Sequence, residues 1–491
     1  MNLCNIGHSF CYETEKLCRI FAPFEKINII NTLEITEFTA VTRLEKTEDK
    51  TVCTAQLYMQ GKTQTKDACL PENADDKLCE LTLAQCLFKC FADLTDYKPD
   101  WGLLTGVRPA KLYASLARKD GVEATEDYFK NQLFVERNKI SLCRETFVSE
   151  HTIIEKSRGD WFSLYISIPF CPTRCAYCSF VSHSIDKAGK LVPEYVSLLC
   201  KEIEHTAVKA RQCGLRLKTI YMGGGTPTSI TAAQLDTVLT AIENSFDLSE
   251  VLEFTVEAGR PDTVCADKLK VLKKHSVTRI SINPQTMNDS VLENIGRRHT
   301  AQQTKQAYSL ARDIGFDNIN MDIIAGLPGD TLQSFKNTVD ELIYLAPESI
   351  TVHALAMKRA SALSTSGVQH DVRQGRNAAE MVEYAHSALT KAGILPYYMY
   401  RQSKTVGNLE NVGYALKGAE CLYNVYIMDE THTILACGAS AVTKLKSPVC
   451  GTISRIFNFK YPYEYTSRFN ELINRKEGIT EFYEKYSVRD K

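Results

Sequence analysis

Short apolar runs alternate with longer segments of helical periodicity through the middle of the chain. The runs fall at residues 162–169, 217–222, 252–257, 279–283, 318–324 and 349–355, and helical patterns fill the gaps at 194–212, 232–244, 300–314 and 332–345. Alternating βα units predict parallel strands joined by right-handed crossovers. Six such units are too few for a closed eight-fold barrel, so the expected fold is α/β, a partial (β/α)6 barrel. In such folds ligands gather at the C-terminal ends of the strands. Chemistry-bearing residues are therefore sought just after each strand.

The flanks follow a different rhythm. Residues 1–155 read as a separate α+β accessory domain, with strands at 33–45 and 51–60 that could pair as a hairpin and a helix near 78–94. A loop-like WGLLTGVRP follows at 101–109, then helices near 110–117 and 124–133. No catalytic constellation stands out there. The barrel is expected over 156–372. Residues 373–491 are expected to form a substrate-covering extension: a helix near 377–391, a strand-like 394–400 and a less regular tail. A length of 491 residues fits about three domains. The 44% hydrophobic and 24% charged content is ordinary, and a net charge of −1 gives no reason to expect nucleic acid. No run reaches the roughly 18 apolar residues of a membrane span. The N-terminus lacks the features of a signal peptide, and 18 scattered cysteines read as reduced thiols in a cytoplasm.

The chemistry starts at the first barrel strand. Pro169 stops it, having no ladder donor, and Cys171, Cys175 and Cys178 follow in C-x3-C-x2-C spacing. Three thiolates on one loop can converge on a metal centre. Zinc with His183 as fourth ligand is one reading. A [4Fe–4S] cluster with one iron left open to a small molecule is the other. GGGTPT (223–228) follows the second strand; its glycines let a ligand touch backbone, and the missing Lys-Ser/Thr excludes a Walker phosphate loop. Glu257 follows the third strand, Gln285 and then Arg297 the fourth, Asp322 with Ile324 the fifth, and Ala356 the sixth. These residues recur at the same end of successive strands, where a ligand would bind.

The cysteine loop, with Tyr177 before its third cysteine, resembles the cluster loop of radical S-adenosylmethionine (SAM) enzymes. The string Y-x-x-I-P-F-C from Tyr165 to Cys171, together with GGGTPT, resembles the oxygen-independent coproporphyrinogen III oxidase (coproporphyrinogen dehydrogenase) group. The extra N-terminal domain and RQ…GNLENVGYA at 401–415 are similar to its HemZ-type branch. The resemblance implies a radical SAM partial barrel with a [4Fe–4S] cluster on Cys171, Cys175 and Cys178 and SAM at the open iron. It assigns Gly224, Gly225, Thr226 and Glu257 to the methionyl amine of SAM and Arg297 to its carboxylate. Gln285 and Asp322 fall to the ribose, Ile324 and Ala356 to the adenine, and Tyr165 and Tyr177 complete the cofactor-binding set. Tyr165, Glu257 and Arg297 are cast as catalytic.

The same resemblance implies reductive cleavage of SAM to methionine and a 5′-deoxyadenosyl radical. Abstraction of a propionate β-hydrogen from coproporphyrinogen III, with loss of CO2 and an electron, would leave a vinyl group. That describes an oxidoreductase of haem (porphyrin) biosynthesis supplied with electrons by flavodoxin or ferredoxin. Lys358, Arg359 and Arg401 are candidate partners for the substrate carboxylates. Two features depart from the oxidase pattern, and the string C-x-Y-C-x-F with the following Ser-His looks like the haem-chaperone branch. Ser167 stands where that pattern has His, and Ser179 and Phe180 follow Cys178 where it has a fourth cysteine. A haem-binding chaperone or transfer protein, with His299, His353 or His432 as a ligand, is therefore an alternative. So is a radical SAM enzyme acting on another tetrapyrrole.

Overall fold

The computed structural model describes residues 1–23, 25–178, 183–356, 372–402 and 405–486. The expected strands all form, at Trp161–Ile168, Arg216–Gly224, Glu253–Glu257, Arg279–Ser281, Ile319–Ala325 and Ser349–Ala354. Each pairs in parallel with its successor in the chain. This singly wound order is that of a partial (β/α)6 barrel, and it aligns the C-terminal ends of all six strands at one rim. The helices between them are set by local chemistry. Thr231 and Thr300 each close a capping box, with Gln234 and Gln303, at the heads of Ala232–Ser245 and Ala301–Asp313. Helix Val192–Gln212 starts with a proline in its first turn and buries Tyr195, Val196, Leu199, Ile203, Ala207 and Ala210 on one face.

Beyond residue 400 the chain is more regular than its sequence pattern predicts. Strand Glu410–Ala415 adds antiparallel to Ser349–Ala354, with Leu395–Arg401 outside it. At the opposite edge Thr433–Cys437 runs parallel to Trp161–Ile168, followed by antiparallel Val442–Lys446 and Ile453–Phe457. The described residues thus build one sheet of 11 strands, with the six parallel strands at its centre. The five-residue strands of the tail carry too weak a period to be read alone; the exposed edges of the central sheet give them their ladder partners.

Contacts divide the chain into two units, one of residues 1–144 with 401–409, the other of 145–400 with 410–491. The N-terminal unit has a sheet ordered Asn28–Ile30, Asn2–Ile6, Phe38–Lys46, Lys50–Met59, Lys62–Pro71. The expected hairpin is its antiparallel centre. Helix Asp76–Thr95, capped by Asp75, buries Cys79, Leu83, Cys86, Leu87, Cys90 and Phe91. The helix expected at 124–133 is instead Val122–Asp127 running into a π turn, Tyr128–Gln132. Among the described residues no helix is long and apolar enough to cross a membrane.

Candidate active site

At the barrel rim, the two-residue strand Phe170–Cys171 pairs in parallel with His183–Ser184, so the cysteine loop starts and ends side by side. Cys171 and Cys175 are buried and Cys178 is half-buried. Cys171 Sγ lies 3.4 Å from Thr226 Oγ1. The loop is docked from its far side where Ala176 N donates to Ile295 O at 3.0 Å. The glycine motif seats its near side: Gly225 N donates to Ile168 O and Thr226 N to Phe170 O, both at 2.8 Å. A Cβ on Gly225 would stand 2.6 Å from Phe170 O, and Gly224 holds φ +107°. These two glycines are thus required for the backbone of the motif to reach the head of the cysteine loop.

Glu257, at the end of the third barrel strand, accepts from Tyr221 Oη at 2.6 Å. Burial pushes its carboxyl up to about 7; the Tyr221 bond and His353 pull the other way, and Asp322 adds to the rise. Tyr221, Tyr165 and Tyr423 form a stack, with Tyr221–Tyr423 centroids 4.6 Å apart and Tyr165 6.2 Å from each.

Gln285 is buried and sits at φ +69°, a left-handed conformation for a non-glycine residue. Its backbone bridges to the next strand: Gln285 N donates to Asp322 O at 2.9 Å, and Ile324 N donates to Gln285 O at 3.0 Å. The adenine and ribose candidates Gln285, Asp322 and Ile324 are therefore tied together. Ala356 follows Leu355, whose N donates to Ala325 O at 3.0 Å at the end of the paired strands Ile319–Ala325 and Ser349–Ala354. Burial would raise the Asp322 carboxyl, but His353 holds it below its ordinary value, with Asn320 and Thr351 adding to that effect. His353 Nε2 lies 3.7 Å from Asp322 Oδ2.

Arg297 is buried; its Nη2 donates to Tyr177 Oη at 2.8 Å and its Nη1 to Gly259 O at 3.4 Å. Burial opposes its charge, but Tyr177 and Cys175 hold its proton more firmly than usual. Tyr177 thus links the cysteine loop to Arg297.

Three participants carried no readable signal in the sequence. Arg260, in the stretch GRP after Glu257, reaches the cysteine loop; Tyr221 orients Glu257; Tyr423 completes the aromatic stack from beyond the barrel strands. Arg401, a candidate for substrate carboxylates, is engaged elsewhere. Within the N-terminal unit its Nη1 donates to Leu104 O at 2.6 Å, and its guanidinium lies 5.3 Å over the Trp101 ring. Lys358 and Arg359 lie outside the described residues. Of the candidate haem ligands, His432 has both ring nitrogens engaged, 2.9 Å from Ser163 Oγ and 3.1 Å from Ser157 Oγ. His353 lies between Asn411 and Asp322. Burial, with Arg297, pushes buried His299 down to about 4.

The donor set fits a [4Fe–4S] cluster with SAM. The loop offers three thiols, a guanidinium beside one of them, and glycines that clear a path to the backbone. Among the described residues no three His, Cys, Asp or Glu side chains converge on one ion, and a cluster taking one thiolate per iron does not need them to.

Residues 165–342 match the Radical SAM superfamily. The oxygen-independent coproporphyrinogen-III oxidase-like protein HemZ of Bacillus subtilis is 40% identical over 380 residues, 77% of this chain and 76% of that protein. The heme chaperone HemW of the same organism is 38% identical over 242 residues, 48% of this chain and 62% of that protein. The solved structure of Escherichia coli coproporphyrinogen III oxidase (HemN), described as a radical SAM enzyme, aligns with a TM-score of 0.51. It is 21% identical, and the alignment covers 65% of this chain and 71% of that one, a likeness of fold.

Proposed function

Because the chain belongs to the radical SAM superfamily, in the group of the coproporphyrinogen-III oxidase-like protein HemZ, we propose that it oxidatively decarboxylates propionates of coproporphyrinogen III to vinyl groups. Its cofactors are a [4Fe–4S] cluster and SAM. Together they supply one-electron cleavage of SAM, and with it the hydrogen-abstracting power the reaction needs.

The observation that carries the proposal is the gathering of Glu257, Gln285, Asp322 and Arg297 at the rim that holds the cysteine loop. Each has a task there. Glu257 as carboxylate accepts from the ammonium of SAM, whose charge favours loss of the Glu257 proton. Arg297, held by Tyr177, receives the methionyl carboxylate as a planar fork. Gln285 and Asp322 pair with the ribose hydroxyls. Cys171, Cys175 and Cys178 ligate iron. A low-potential flavodoxin or ferredoxin is the electron source this reading requires.

Ser167 favours a second reading, haem binding and transfer without turnover. Its hydroxyl donates to Ala439 O at 2.8 Å where the oxidase pattern has an imidazole.

The test is an anaerobic assay of the reconstituted protein with dithionite, SAM and coproporphyrinogen III, following 5′-deoxyadenosine and tetrapyrroles by mass spectrometry. Deoxyadenosine with mono- and divinyl products is expected, and Cys175→Ala should abolish both cluster and cleavage. Deoxyadenosine with untouched tetrapyrrole overturns the substrate. A cluster-loaded protein that forms neither, yet binds haem in a fixed ratio, supports transfer.

A further inference from the structure

Cys175 has a buried guanidinium beside its sulfur. Arg260 is almost wholly buried, at 3% exposure, and its Nη1 lies 3.7 Å from Cys175 Sγ, within reach of an N–H···S bond. The same Nη1 donates to Thr173 Oγ1 at 2.8 Å and to Thr173 O at 3.3 Å, inside the cysteine loop. The other edge of the guanidinium is gripped by Asp262, with Nε to Oδ1 at 3.0 Å and Nη2 to Oδ2 at 2.8 Å. The backbone is locked as well. Arg260 O accepts from Thr263 Oγ1 at 2.8 Å, and Thr263 Oγ1 lies 2.7 Å from Thr228 Oγ1 of the glycine motif. A planar fork held on both edges and aimed at one sulfur does more than fill space.

We propose that Arg260 sets the reduction potential of the cluster through Cys175, with Asp262 as its counterweight. The inference rests on the [4Fe–4S] reading of the loop. Reduction adds one negative charge to a cluster already bearing thiolates. A cationic N–H donor to a thiolate stabilises the reduced form more than the oxidised form and raises the potential. Asp262 offsets part of that charge, so the net effect reflects the two residues together. Arg260 is a positioning residue in this account: it acts on the electron affinity of the cluster through a ligand and touches no substrate atom.

The test is a potentiometric titration of the reconstituted full chain under anaerobic conditions, followed by electron paramagnetic resonance of the reduced cluster, with iron and sulfide assayed in every sample. Arg260→Gln should retain the cluster and make its reduction at least about tenfold less favourable, a shift of about 59 mV to more negative potential for a one-electron couple. Asp262→Asn should shift it the opposite way, and Arg260→Lys should fall between wild type and Arg260→Gln. Loosened packing alone would not move two neighbouring variants in opposite directions. A cluster-loaded Arg260→Gln with unchanged or raised potential overturns the proposal. Should that variant lose its cluster, Asp262→Asn decides, and an unchanged or lowered potential there overturns it equally. A wild-type chain that assembles no cluster overturns the cluster reading and the proposal together. A loaded wild type with unshifted variants overturns the proposal alone.

Discussion

Glu257 combines burial, a tyrosine donor and a pKa of about 7 at the position that the proposed function gives to the ammonium of SAM. A cation binds the carboxylate form only, so the competent fraction falls as pH drops through about 7. Below that value SAM affinity should weaken by roughly tenfold per unit. Tyr221→Phe removes a hydrogen bond that favours the charged form, so its midpoint should move to higher pH. Calorimetric titration of SAM from about pH 6 to 8 on both proteins checks this, and identical profiles would count against Tyr221 as the orienting group. Glu257 was readable in the sequence from its place after a strand. Tyr221 was not, because one tyrosine in an apolar strand carries no mark of the carboxylate it meets across the sheet.

The irregular piece of backbone after Arg279–Ser281 is where local structure and site meet. Gln285 at φ +69° bridges to the strand carrying Asp322, at the cost of a conformation that a side chain disfavours by about 1–2 kcal/mol. Gln285→Gly should therefore raise stability by about 1 kcal/mol in urea denaturation while weakening SAM binding, since the amide is lost. A variant that is both less stable and unchanged in SAM affinity would refute the reading of strain held for function. The glycine motif is strained in a different sense. Gly225→Ala drives a Cβ to 2.6 Å from Phe170 O, which must move the head of the cysteine loop. Loss of cluster is expected, along with about 1–3 kcal/mol of stability, measured by iron content and denaturation. The motif was legible as a turn near a ligand, but its service to the cysteine loop depends on a strand more than fifty residues earlier, Trp161–Ile168.

Across the barrel unit, the chain after the six parallel strands returns to their outer edges. That return is anchored by a fully buried ion pair, Lys476 Nζ to Glu202 Oε1 at 2.9 Å, both side chains at 0% exposure. Glu202 also accepts from Gly438 N at 2.7 Å, Tyr465 Oη at 2.7 Å and Asn458 Nδ2 at 2.8 Å. Through this hub the helix after the cysteine loop holds the Gly438 turn, against which Ser167 packs. Lys476→Met leaves a buried carboxylate without its cation and should cost about 3–5 kcal/mol. Urea denaturation measures it, and an unmoved midpoint would show that the pair does not anchor this edge.

The order of strands and helices from Trp161 to Ala354, the cysteine loop and the residues just past each strand were determined by the sequence itself. Apolar period, prolines, glycines and cysteine spacing are local signals, and a parallel βα chain turns local order into spatial order. The regular structure of the tail, the guanidinium on Cys175, the tyrosine beside Glu257, the strain at Gln285 and the engagement of Arg401 with Trp101 were decided only by the tertiary structure. Each depends on a partner far along the chain. Pairing energies between distant residues arise from packing and desolvation after the chain has closed, and they leave no period in the sequence for a reader to find.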